Sequence, residues 1–145
     1  MDPAPGSGPP AAITVVEAGR QINCNDKQTL TFIDEAMQRG DYIVLLAIDA
    51  DGEAVGLISL GACGAVYAGG RFGVIHEFYV DPGVRSRGVG AALLERAKQK
   101  SVERRWGRLE VGAPRQPQWS RTSDFYQREG FQLIGPRLRW TPHPL

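Results

Sequence analysis

Val74-Ile75-His76-Glu77-Phe78-Tyr79-Val80-Asp81-Pro82 and, two residues on, Arg85-Ser86-Arg87-Gly88-Val89-Gly90-Ala91-Ala92-Leu93-Leu94 carry the pattern from which the fold is read. The β-branched and aromatic run predicts a strand, Asp81-Pro82 a turn, and the residues from Gly88 to about Arg105 a helix. Apolar residues at Val89, Leu93, Leu94, Ala97 and Val102 give that helix one face suited to lie on a sheet. Leu109 to Val111 follows as a short strand. Strand, crossover helix and strand demand a parallel pair with a right-handed crossing.

Upstream, Ile13 to Val16 reads as a strand, and Thr29 to Arg39 as a helix stopped by Gly40. Tyr42 to Ile48 and Ala54 to Leu60 flank the turn residues Asp49-Ala50-Asp51-Gly52, which predicts an antiparallel hairpin. Ala62 to Arg71, rich in glycine and alanine, reads as a loop or a weak strand end. Downstream, Ser120 to Glu129 fits a helix stopped by Gly130, and Phe131 to Ile134 and Arg137 to Trp140 read as closing strands. The expected class is α/β (α+β): a mixed, mostly antiparallel central sheet with a parallel splayed strand pair and flanking helices.

With 145 residues, 42% hydrophobic and 23% charged, the chain has the size and balance of one globular domain. Met1 to Ala12, proline- and glycine-rich at its start, is expected to be a flexible tail, and 13–145 the folded domain. A net charge of +1 gives no global case for nucleic acid or a membrane surface. Local charge is uneven: Arg85 to Arg108 holds eight Lys or Arg and two Glu, which reads either as a solvated helix face or as attraction for a polyphosphate. Cys24 and Cys63 have neither metal-ligand spacing nor the density of a disulfide scaffold, and no apolar run is long enough for a membrane span. A cytoplasmic setting follows as the default expectation.

Gly88 and Gly90 lack Cβ atoms, so backbone N–H groups at the positive end of the helix are left open to an anion. A dinucleotide fold would use such glycines too, with Glu110 as its ribose-binding acid. The antiparallel hairpin upstream, Leu93 where the third glycine belongs, and the short remaining chain count against it.

Arg85-x-x-Gly88-x-Gly90 directly after Val80-Asp81-Pro82 resembles the acetyl-CoA signature of the GNAT superfamily of N-acyltransferases. Phe125-Tyr126-Gln127-Arg128-Glu129-Gly130-Phe131 resembles the aromatic-Tyr-x-x-x-Gly-Phe segment carried by the same family. The resemblance covers nearly the whole folded chain. It implies that the backbone of Arg85, Ser86, Arg87, Gly88, Val89 and Gly90 holds the pyrophosphate of coenzyme A. Pantetheine would run along Phe78, Tyr79 and Val80, where a backbone N–H would meet the oxyanion. The activity implied is direct acetyl transfer from acetyl-CoA to a primary amine of a small molecule or peptide.

Such a reaction needs a base for the acceptor ammonium and a donor for the leaving thiolate. His76 and Glu77 are the candidate bases. Strand alternation sends them to opposite faces unless a bulge breaks the period, and the resemblance does not choose between them. Tyr126 is the candidate acid. Two positions depart from the family pattern: Trp119 stands where many relatives have Asn, and Thr122 where Ala is common. The loop Ala113 to Gln118, with two prolines, is placed to shape the acceptor pocket. The span between Ile13 and Tyr42 holds one helix where relatives often have two, leaving room for an open groove or a homodimer partner. A non-catalytic acyl-CoA-binding module is the alternative; it would dispense with the acid and the base.

Overall fold

The structure is a computed structural model and describes residues 13–19, 26–84, 88–112, 120–135 and 138–142. It divides into two compact units, Met1–Glu110 and Val111–Leu145.

The first unit holds β1 (Thr14–Glu17), α1 (Lys27–Arg39), β2 (Tyr42–Ile48), β3 (Ala54–Ala65), β4 (Gly70–Val80), a 3-10 turn (Pro82–Val84), α2 (Val89–Glu103) and the start of β5 (Leu109–Val111). The strands form one sheet in the order β1-β2-β3-β4-β5. The first three pairings are antiparallel, and β5 runs parallel to β4. This is the mixed sheet expected. It excludes the doubly wound parallel sheet of a dinucleotide fold. Gly73 N–H donates to the Arg108 carbonyl at 3.0 Å and Gly107 N–H to the Arg71 carbonyl at 2.8 Å, so β5 attaches to the first half of β4.

Local chemistry sets the element ends. Asp26 caps α1 by accepting from Gln28 N–H at 3.1 Å, and Gly40, at φ 77°, closes it with its N–H on the Ala36 and Met37 carbonyls. Asp49 accepts the N–H groups of Asp51 and Glu53, both at 2.9 Å, and so shapes the β2–β3 turn.

Ile43, Leu45 and Ala47 of β2 and Ile58 and Leu60 of β3 lie on one sheet face, fully buried. They meet Val89, Leu93, Leu94 and Ala97 of α2, also buried. The approach is close at Gly56: a Cβ there would stand 3.1 Å from Leu93 Cδ1 and 3.3 Å from Val89 Cγ1. On the same face Trp106, just after α2, covers Gly73. The other face carries Tyr42, Ser59, Gly61, Phe72, Val74 and Glu77, related by the strand register.

Ala62 to Arg71, expected as a loop or weak strand end, is mostly strand. β3 continues to Ala65, β4 begins at Gly70, and the turn is confined to residues 66–69. The ladder between the two strands overrides the poor strand preference of glycine and alanine.

In the second unit, α3 (Ser120–Arg128) forms as expected, with Gly130 at φ 97° just beyond it. Among the described residues the closing strands do not form, since 131–135 and 138–140 carry no strand pairing; Arg137 lies outside them. Leu133, Ile134, Leu138 and Trp140 are exposed there, and alternating apolar residues make a strand only where a ladder partner receives them. Among the described residues no helix is long and apolar enough to cross a membrane.

Candidate active site

Glu77 lies near the middle of the second half of β4, and its surroundings depend on an irregularity. Ser59 pairs with Glu77 while its neighbour Leu60 pairs with Ile75, so His76 is an extra residue with no partner position on β3. This β-bulge cancels the alternation that would have sent His76 and Glu77 to opposite faces. The His76 ring lies over Gly61, where an added Cβ would collide with Nε2. It stacks on Tyr42 at 5.7 Å with the ring planes 6° apart. Tyr42 O–H in turn donates to Glu77 Oε1 at 2.5 Å, so both candidate bases stand on one face against the same phenol. Both are exposed.

Ser59 completes the arrangement. Its hydroxyl donates to Glu77 Oε2 and accepts from the Glu77 N–H at 2.9 Å. The Tyr42 phenol is pushed up to about 12, first by burial and then by its bond to the Glu77 carboxylate, which holds the phenolic proton in place. Neither Tyr42 nor Ser59 was signalled by the sequence. Tyr42 reads as the first residue of an apolar strand and Ser59 as a lone polar residue inside one; only the cross-strand register brings them to Glu77.

Phe78, Tyr79 and Val80 follow on β4, with Tyr79 exposed. The strand leads through the 3-10 turn, where Asp81 accepts from the Gly83 N–H at 3.0 Å, toward the head of α2. Arg85, Ser86 and Arg87 lie outside the described residues. Gly88 takes φ 81° as the residue before the helix, a conformation that costs a side-chain-bearing residue, and among the described residues no side chain caps the helix there. The first bond across this end runs from the Ala92 N–H to the Gly88 carbonyl at 3.0 Å. The N–H groups of Val89 and Gly90 therefore belong to the helix end whose amides point outward along the axis. Among the described residues, a Cβ at Gly88 would meet nothing within 4 Å. That geometry fits an anion at the positive end of a 15-residue helix.

Glu110, the acid a dinucleotide fold would turn to a ribose, is buried. Its carboxylate receives Tyr67 O–H at 3.3 Å and faces Arg108 at 3.6 Å. Arg108 also lies over the Tyr67 ring, 5.3 Å from its centroid.

In the second unit, Tyr126 is buried, with its ring 5.6 Å from Phe125 and 5.4 Å from Phe131. Burial pushes its phenol up to about 12. Phe131 N–H donates to the Tyr126 carbonyl at 2.9 Å, which folds the Gly130-Phe131 end of the motif back onto α3. Thr122 is half-buried on α3. Trp119, the Ala113 to Gln118 loop and Cys24 lie outside the described residues.

A mixed sheet with a parallel β4–β5 pair, a crossover helix preceded by a left-handed glycine turn, and a bulge presenting a carboxylate define an α/β protein of the expected class. Known proteins narrow the class. The family described as Acetyltransferase (GNAT) domain matches residues 40–133. An uncharacterized N-acetyltransferase of Archaeoglobus fulgidus is 36% identical over 64 residues, a match spanning 41% of this chain and 42% of that relative. Among solved structures, an aminoglycoside acetyltransferase from an uncultured soil metagenomic sample, in complex with sisomicin, is similar with a TM-score of 0.72 at 12% identity, covering 92% of this chain and 97% of that one. A predicted acetyltransferase of Clostridium acetobutylicum, with acetyl-CoA, has a TM-score of 0.71 at 14% identity, covering 89% and 96%. The chain belongs to the GNAT superfamily of acetyltransferases.

Proposed function

We propose that this acetyltransferase moves acetyl from acetyl-CoA to a primary amine of a small molecule or peptide by direct attack, with Glu77 as the base and Tyr126 assisting the leaving group. The observation that carries the reading is that one strand–turn–helix unit holds both an exposed carboxylate at Glu77 and a left-handed turn at Gly88. The catalytic domain is taken as 13–145 behind a tail at 1–12, working in the cytoplasm.

The N–H groups of Gly88, Val89 and Gly90, with Arg85, Ser86 and Arg87, would hold the pyrophosphate, the helix dipole adding to the attraction. Phe78, Tyr79 and Val80 would bind the pantetheine. Successive N–H groups of a strand point to opposite edges, so this segment presents an amide toward the β5 side, where it would polarise the acyl carbonyl. When bound, acetyl-CoA supplies the thioester that is attacked.

An acceptor amine with a pKa near ~10 is mostly an ammonium at neutral pH, and because a carboxylate is a far weaker base than an amine, Glu77 acts as a relay: it receives the proton only transiently, passes it to solvent, and leaves the neutral amine to attack. His76 lies on the same face and is the other candidate; Glu77 is favoured because both its oxygens are fixed. Tyr126, at about 12, keeps its proton at neutral pH. Transfer from such a phenol to a thiolate of pKa ~8.5 would be uphill by roughly 3.5 units, about 5 kcal/mol. Tyr126 therefore acts by donating a hydrogen bond to the departing sulfur, and the proton itself comes from solvent.

Thiol release from acetyl-CoA, measured across sisomicin, spermidine and a peptide with a free N-terminus, tests the reading with wild type, Glu77→Gln and Tyr126→Phe. The expected result is turnover of one amine class, a fall of roughly 100-fold or more in Glu77→Gln and a smaller fall in Tyr126→Phe. Full activity in Glu77→Gln would remove Glu77 as the base.

A further inference from the structure

Ser59 stands between Ile58 and Leu60, both fully buried, and is itself 2% exposed. A hydroxyl at such a place costs stability unless its hydrogen bonds are made, and a small apolar residue would serve the core as well. It accepts from the Glu77 N–H and donates to Glu77 Oε2, and its hydroxyl also reaches the Tyr42 phenol. From the next strand Tyr42 donates to the other oxygen, Oε1. Its ring is steadied in turn by the stack on His76, for which Gly61 leaves the room. Two hydroxyls on two strands thus grip the two oxygens of one exposed carboxylate, each oxygen keeping lone-pair capacity for a further partner. The phenol, at about 12, stays a donor over any ordinary assay range.

We propose that Tyr42 and Ser59 are positioning residues of the transfer reaction, holding the Glu77 carboxylate in the single orientation from which it removes the acceptor's proton. The inference rests on the reading of Glu77 as the base. In the step concerned, an N–H bond of the acceptor ammonium breaks, its electron pair stays on nitrogen, and the proton passes to a Glu77 oxygen and later to solvent. Among the described residues, Tyr42 from β2 and Ser59 from β3 bond Glu77, and His76 stands beside it on β4. On β5, Glu110 is engaged by Tyr67 and Arg108.

The test uses the full chain as wild type, Tyr42→Phe, Ser59→Ala and Glu77→Gln. Tyr42→Phe retains the ring and its stack and so preserves the fold. One readout is the carboxyl 13C chemical shift of Glu77 at one fixed pH, which needs no acceptor and reports the hydrogen bonds its oxygens receive. The other is kcat and KM for thiol release with the amine selected above. Losing either hydroxyl removes a bond from one carboxylate oxygen, so the Glu77 carboxyl signal moves in both variants. The rate falls roughly 10- to 100-fold, as expected for a misplaced base, while KM for acetyl-CoA stays put. A carboxyl signal and a kcat that remain at the wild-type values in both variants overturn the inference, as does a rate loss that only tracks a lowered melting temperature. Glu77→Gln keeps the two readings apart. If it retains the wild-type rate, Glu77 is no base; if it loses the rate while Tyr42→Phe and Ser59→Ala keep theirs, only the positioning role fails.

Discussion

Gly73→Ala tests how tightly the sheet is closed under the end of α2. The Cβ of an alanine at 73 would fall where Trp106 Cε3 and Cζ3 now lie, and 3.1 Å from Leu109 Cδ1. Trp106 is buried, and the Gly73 N–H is one of the bonds that attach β5, so neither side yields without loss. Overpacking of this kind costs about 1–3 kcal/mol. If the indole were driven fully into water, losing 150–250 Å² of burial at ~25 cal/mol/Å² would cost about 4–6 kcal/mol, which sets the ceiling. Alanine's smaller loss of backbone freedom returns roughly 0.5–1 kcal/mol. The net expectation is about 0.5–2.5 kcal/mol, or a melting midpoint lower by roughly 1–10 °C for a chain of this size. Far-UV circular dichroism on heating measures it, alone and in a cycle with Trp106→Leu, which removes the obstructing ring and should recover most of the loss. A midpoint within about 1 °C of wild type, or a cost untouched by Trp106→Leu, would refute the reasoning.

Gly61→Ala meets a different neighbour, the exposed end of His76, which can rotate away, so the stability cost should stay under about 1 kcal/mol while the His76–Tyr42 stack is lost; thermal melting and the His76 imidazole NMR signals check both halves. Gly88→Ala adds a Cβ that touches nothing among the described residues but at φ 81° costs roughly 1–2 kcal/mol, and Gly88→Asn, which tolerates that conformation better, should recover part of it; equal losses in urea titrations would contradict the assignment of strain. Tyr42 and Tyr126 both stand at about 12 when folded against an ordinary value near ~10. The folded state therefore binds more protons between those limits, and the stability this represents is complete below ~10 and lost as pH rises through about 12. Urea midpoints measured across that window should fall less steeply in Tyr126→Phe, and identical slopes would show that burial does not hold the phenol.

The elements legible in the sequence are those whose signals are local. Gly40 after a helical pattern, Asp49 to Gly52 between two apolar runs, and the amphipathic stripe from Val89 to Ala97 each fix their own segment, and the structure has them where expected. Ala62 to Arg71 misled because glycines and alanines close together look like a loop. Beside this run small size does answer to a covering ring, since His76 covers Gly61 and, across the ladder, Trp106 covers Gly73, whereas a Cβ at Gly64 would meet only the Gly70 carbonyl at 3.8 Å. The alternation at Phe131 and Leu133 and at Leu138 and Trp140 misled in the opposite sense, since a period of two states what a strand would bury without supplying anything to pair with. At the site, Glu77, His76 and Gly88 could be singled out by residue type and place, whereas the Tyr42 and Ser59 contacts span 35 and 18 positions and exist only through register. The bulge belongs with them, because no residue in Val74 to Val80 marks where the count will slip.

His76 is a residue that the ladder does not count. Leu60 would still face Ile75 and Ser59 would still face Glu77 if position 76 were deleted from the chain, and the two strands would then run together without a break. A chain one amino acid shorter would thus make a more regular sheet. By its own hydrogen-bonding arithmetic the fold has a spare place at the very point where the carboxylate is displayed, and it fills that place with an imidazole.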